Sequence, residues 1–248
     1  MAPVELALPF DGRWLTQNSP ARRVPSHGTD RFAARFAIDF VGVDERRRTA
    51  DRIDWRTLLA TEPVERFVSF GRPILAPVDG VVVRVHTGEP DHSARRSQLA
   101  LISCALGQAS RVRSGVAAVA GNHVVIALHD GRHFVALAHL RAGSVLGRVG
   151  DVVTVGRPIA ACGNSGNSTQ PHLHLQVMDG ADPAVARGVP MTFRHFREWP
   201  RRSPHGEERS SGVPIDGSVI EPVRAAARWP TGGRVIRPWC SAARSMSL

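Results

Sequence analysis

A chain of 248 residues with 42% hydrophobic content can bury a substantial core, in one or two domains. A formal net charge of +10 would suit a polyanion, but all 32 basic residues are arginine and they are dispersed, with short runs only at 46–48, 95–96 and 201–202, so no nucleic acid is expected as a partner. Cys104, Cys162 and Cys240 are odd in number and far apart, which excludes a disulfide scaffold and a thiolate zinc site.

No stretch reaches the roughly 18 apolar residues of a membrane span. The opening "MAPVELALPFDGRW" has no basic start ahead of an apolar run and a cleavage site, so no signal peptide is expected. Residues 1–72 form a mixed N-terminal segment: an apolar-polar start, the loop "QNSPARRVPSHGTD", a strand at "RFAIDFVGV", and a charged, helical stretch through "DRIDWRTLLA".

Residues 73–180 read as a β core. Short Val/Ile/Leu runs, "PILAPVDGVVVRVH", "HVVIALHDGRHFVALAHL", "SVLGRVGDVVTVGRPIAAC" and "HLHLQV", alternate with Gly, Asp and Pro, the pattern of a barrel or sandwich. Asp130-Gly131 accepts the positive φ of a tight hairpin, which sets His129 and His133 at the turn and His139 at the far end of the returning strand. An insertion at about 87–121 carries one apolar segment, readable as a short helix or a further hairpin. Residues 181–248 are Pro-, Arg- and Ser-rich; "GVPMTFRHF" offers one strand, the rest reads as irregular, and the last 25 or so residues lack the apolar pattern to order themselves.

Chemistry concentrates in "GNSGNSTQPHLHLQVMDG". In a strand, His172 and His174 share one face while Leu173, Leu175 and Val177 take the other. One imidazole can then hold a metal while its neighbour moves a proton, although a pair of solvated strand histidines fits the same spacing. Asp39, between Ile38 and Phe40, is a carboxylate in an apolar strand, and its burial requires a cation: a metal, or Arg35 in a salt bridge. His123 is expected on a strand without a chemical role, and His86, His92, His195 and His205 in solvated segments.

Taken in order, "FAIDF", "APVDGVVVRV", "GNHVVIALHDGRHFVALAHL" and "VLGRVGDVVTVGRPIAACGNSGNSTQPHLHLQV" resemble the zinc metallopeptidases of the lysostaphin/LytM type, the M23 family, over about 70–180. The resemblance implies a mostly β fold, an antiparallel barrel-sandwich hybrid of the duplicated-hybrid type, here with a loop-rich N-terminal segment and a largely irregular C-terminal extension. It implies Asp39 and His174 as Zn²⁺ ligands, His139 and His172 as the residues acting on water and transition state, and peptide cross-links of peptidoglycan as substrate. Two imidazoles and a carboxylate leave zinc an open position for water.

The sequence departs from that pattern at Arg35, which stands four residues before Asp39 where the family has its first histidine ligand. Guanidinium has no lone pair to give a metal. Three outcomes are open: His27 in "SHGTD" folds back as the missing ligand; the site is degenerate and binds zinc weakly or not at all; or Arg35 points away and water fills the position. Leu137 also stands where the family often has tyrosine. The alternative function is a catalytically degenerate M23-like binding or regulatory module. Related barrel-sandwich carriers of biotin or lipoate are excluded because there is no lysine to modify. Phosphohistidine carriers leave Asp39 and the loop before His172 unexplained. Compartment and oligomeric state are left open.

Overall fold

A computed structural model of the chain describes residues 2–52, 61–95, 115–201 and 203–223. The helix expected at "DRIDWRTLLA" falls largely outside the described residues, as do the apolar segment of the insertion and the C-terminal stretch expected to be disordered.

The centre of the fold is built from period-2 alternation. Strands β6 (Asn122–Leu128) and β7 (Phe134–Leu140) pair antiparallel across the Asp130-Gly131 turn. There the Asp130 carboxylate accepts the N–H groups of Arg132 and His133 at 2.9 and 3.0 Å, and Gly131 takes φ 67°. Strand β5 (Gly80–His86) adds to β6, and the short β8 (Val152–Val153) adds to β5. On the other side, β10 (Leu173–Met178) lies between β7 and β3 (Ile38–Gly42), antiparallel to both. Its Leu173, Leu175 and Val177 are buried against Ile38, Phe40 and Leu137, as alternation required.

The sheet continues from β3 through β2 (Trp14–Gln17), β14 (Val219–Pro222) and β12 (Met191–Trp199) to β1 (Val4–Leu6). Strand β11 (Gly188–Val189) pairs with β10, β13 (Glu207–Gly212) with β12, and β4 (Pro73–Leu75) and β9 (Pro158–Ala161) form a separate pair. The fold is mostly β, and it differs from a wholly antiparallel barrel in two respects. The large sheet is open, and β1 runs parallel to β12. A parallel pair needs a long crossover, which the chain between these distant strands supplies.

Beyond Gly180 the chain forms β11 to β14, where one strand was expected. The expected strand at "GVPMTFRHF" corresponds to β11 and the start of β12, where Met191, Phe193 and Phe196 are buried, and β13 and β14 are additional to it. Phe193 meets Phe40 edge-on at 5.5 Å, and Phe10 stacks on Trp14 at 4.6 Å, so both ends of the described chain close on one core. A single hydrophobic cluster accordingly runs from Val4 to Ile220.

The expected strand "RFAIDFVGV" begins only at Ile38. Residues Arg31–Phe36 form a 3-10 turn, with Phe32 and Ala33 at φ 55° and 61°. At the end of the insertion, Val116–Ala120 is a short helix, α1. Among the described residues no helix is long and apolar enough to cross a membrane.

Candidate metal centre

Register creates the site. Asp39 on β3 stands directly opposite His174 on β10, so the two side chains emerge side by side on the face away from the core. His174 Nδ1 lies 2.9 Å from Asp39 Oδ1. His172, two residues earlier, shares that face, with Nε2 at 3.7 Å from the same oxygen. His27 arrives from the loop before the 3-10 turn and brings Nε2 to 3.1 Å from Asp39 Oδ2. His139, near the end of β7 at φ 58°, turns its ring to 4.6 Å from that of His172 and 5.9 Å from that of His174.

The outer hydrogen bonds decide which nitrogen each ring offers. Gln176 donates its amide N–H to the Phe32 carbonyl at 2.8 Å, so its Oε1 faces His174 Nε2 at 3.0 Å and accepts a hydrogen bond from its N–H. The Nδ1 lone pair of His174 is thereby left for a metal. The Ser26 hydroxyl donates to Ala34 O and accepts from His27 Nδ1 at 3.0 Å, leaving Nε2 of His27 for the same purpose. His139 donates Nδ1–H to Ser165 O at 2.9 Å, and His172 donates Nδ1–H to Gln170 O at 2.8 Å, so both present Nε2 to the cleft.

Asp39 is 5% exposed. Burial alone would raise its pKa, but the charges of His27 and His172 and hydrogen bonds from His174 and His27 hold it well below the usual carboxylate range. Burial, reinforced by its histidine neighbours, pushes His139 well below the ordinary value, and burial also lowers His172 against the pull of Asp39. In His174 burial acts in the same sense but is outweighed by the hydrogen bond and charge of Asp39 and by Gln176, and its pKa is raised. The raised proton is the one a metal ion displaces.

One ligand atom from each of His27, Asp39 and His174 lies within 4.8 Å of the others. The two ring nitrogens flank one carboxylate, His174 Nδ1 at 2.9 Å from Oδ1 and His27 Nε2 at 3.1 Å from Oδ2. Two imidazoles and one carboxylate, each imidazole tied at its outer nitrogen, fit Zn²⁺. A metal ion held there would also offset the burial of the carboxylate, whose second oxygen accepts from Asn18 Nδ2 at 2.7 Å.

Arg35 lies elsewhere. Its guanidinium binds both oxygens of Asp30, at 2.9 and 3.1 Å on the surface, and the Arg35–Asp39 salt bridge weighed from the sequence does not form. The reason is local: Arg35 belongs to the 3-10 turn, outside the strand that aims Asp39 into the cleft. Leu137 is fully buried in the core, between Ala136 and Ala138, which line the cleft.

The cleft has a volume of about 550 Å³, with Phe32, Val119, Ala120 and Pro183 supplying apolar wall. It is also lined by His123, expected to have no role. This ring is 3% exposed, donates Nδ1–H to Gly121 O at 2.8 Å and leaves Nε2 without a partner. Strand alternation puts residue 123 on the face of 136 and 138, a signal present in the sequence. Ser26, Asn18 and Gln176 were missed because their roles consist of hydrogen bonds that no spacing encodes.

Residues 63–186, half of the 248-residue chain, match the model of peptidase family M23; Asp39 and His27 lie upstream of the match. A comparison with curated proteins gives no match. Among solved structures, the catalytic domain of the antimicrobial peptidase lysostaphin from Staphylococcus simulans is similar at 19% identity over 62% of this chain and 77% of that one, with a TM-score of 0.35. The catalytic domain of the prophage-encoded M23 protein EnpA from Enterococcus faecalis is similar at 19% identity, over 62% and 73%, with a TM-score of 0.36. A lytM-type protein from Ruminococcus gnavus is similar at 16% identity, over 76% of this chain and 55% of that one, with a TM-score of 0.37. At these TM-scores the superpositions add nothing to the family-model match.

Proposed function

This chain belongs to peptidase family M23, and from that premise we propose that it is a zinc-dependent endopeptidase cutting the peptide cross-links of peptidoglycan. The observation that carries the reading is the convergence of His27, Asp39 and His174 within 4.8 Å, beside two further imidazoles whose free nitrogens face the same cleft.

In this reading His27, Asp39 and His174 hold the metal. Bound there, zinc supplies a Lewis acid and lowers the pKa of water. His139 and His172 do the proton work: their Nε2 lone pairs accept the proton of the attacking water and return it to the departing amine nitrogen. Ser165 O and Gln170 O keep both rings from turning, so neither nitrogen has to be selected at the moment of reaction. The apolar wall around Phe32 and Val119 excludes water from the scissile amide.

The test is direct. Purified protein should contain one zinc per chain by emission spectroscopy and release peptides from purified peptidoglycan. His139→Ala should abolish release while retaining zinc, and His174→Ala should lose both. Absence of zinc with no release identifies instead the degenerate binding module, in which Asp39 is neutralised by its histidines alone.

A further inference from the structure

A second cleft, of about 560 Å³, adjoins the first, and Asn18 lines both. Asn18 follows β2 at φ 50°, a conformation asparagine tolerates, and its amide holds Asp39 at 2.7 Å. The second cleft is floored by Leu15, Gln17 and Val219 and carries Arg22, Arg47 and Arg201.

Its charge is unbalanced. The one carboxylate lining it, Asp216, is taken by Arg22 at 3.2 Å and by the Ser19 N–H at 3.1 Å. Arg47 spends one N–H on Ser203 O at 3.2 Å, and neither Arg47 nor Arg201 has a carboxylate partner among the described residues. Some arginines outside it are matched, Arg13 with Glu221, Arg35 with Asp30, Arg48 with Asp44 and Arg84 with Asp182, and others, Arg132 and Arg148 among them, have no carboxylate partner among the described residues but line neither cleft. Two unmatched guanidinium forks in a concave site form a receptor for carboxylates, which they bind through paired N–H groups.

We propose that this arginine cleft is an accessory substrate site, holding a carboxylate-bearing stretch of the same peptide whose scissile bond lies among the histidines. The assignment rests on the peptidase reading above, because continuity through Asn18 is what makes one extended chain the occupant. A peptide crossing Asn18 presents its amide to the metal centre and its acidic groups to Arg47 and Arg201.

Equilibrium binding tests the site without turnover. Two labelled peptides of equal length, one with glutamates and one with glutamines at the same positions, are titrated by fluorescence anisotropy onto the full chain carrying His139→Ala. The glutamate peptide should bind more tightly, and adding Arg47→Gln with Arg201→Gln should weaken it about tenfold or more while leaving the glutamine peptide and the melting temperature unchanged. Raising the salt should erase the difference between the peptides. Equal binding of the two peptides, equal loss for both in the double variant, or binding of polyphosphate in preference to the acidic peptide would overturn the assignment. Failure to hydrolyse peptidoglycan is read separately, with the wild-type chain: it would sink the peptidase reading and with it the cleft's part in turnover, while the binding data alone decide whether Arg47 and Arg201 hold a carboxylate peptide.

Discussion

Gln176 Oε1 and His174 Nε2 meet at 3.0 Å across two residues of one strand, and because the Gln176 amide is committed to the Phe32 carbonyl, this contact sets the tautomer of His174. A residue that touches no ligand position thus determines whether a ligand nitrogen is available. Gln176→Leu should leave the fold intact and weaken zinc affinity about 10- to 100-fold, read by competition against a chromophoric chelator. Gln176→Glu keeps an acceptor for Nε2–H and should recover most of the affinity. Equal affinity in wild type and Gln176→Leu would show that the outer hydrogen bond is idle.

The positions of His27 and Arg35 make opposite predictions for two residues of one segment. Zinc at about a thousand times its dissociation constant should stabilise the wild-type chain by about 4 kcal/mol. His27→Ala should remove most of that increment. Arg35→Gln should keep it, losing no more than about 1 kcal/mol from the half-exposed pair with Asp30. Thermal unfolding with zinc and with chelator distinguishes them, and a loss of the zinc increment in Arg35→Gln would contradict the arrangement described.

Histidines held neutral by burial make the metal-free chain sensitive to acid. His139, His172 and His123 all have pKa values lowered from 6.5, with burial the leading cause in each. Between those lowered values and 6.5 the unfolded chain binds more protons than the folded one, so stability falls as pH drops through that window. His174, whose pKa is raised, acts in the opposite sense: its contribution is complete below 6.5 and is lost as pH rises through its folded value. Three lowered groups against one raised predict a net loss on going from pH 7 to pH 5, measured by urea unfolding in the presence of chelator. His139→Asn should flatten the slope.

Leu137 faces the core, where it pairs with Leu175 across β7 and β10. Leu137→Tyr should therefore cost about 1–3 kcal/mol through overpacking and bring no gain in turnover. Denaturant unfolding and a peptidoglycan release assay check the two halves. Increased activity without loss of stability would mean that the side chain at 137 reaches the cleft.

Much was determined by local pattern. The β character of 73–180, the turn at Asp130-Gly131 and the shared face of His172 and His174 all follow from alternation and turn chemistry, which act over a few residues. The need of Asp39 for a cation also follows from sequence, because a carboxylate among Ile38, Phe40 and Val41 cannot be buried alone. Strand β12 was legible in "GVPMTFRHF", whereas β13 has no buried face to alternate and β14 is only four residues long, so neither carries a period-2 signal.

Which cation partner Asp39 takes was decided only in three dimensions. Arg35 is nearer in sequence than His27, but the 3-10 turn at 31–36 sends its guanidinium to Asp30 and folds the His27 loop over the carboxylate. The pairing of β3 with β10 then brings His174 across a separation of 135 residues to 2.9 Å from Asp39. Turn dihedrals and strand register are settled by the packing of the whole core, and no window of sequence contains both ends of either contact.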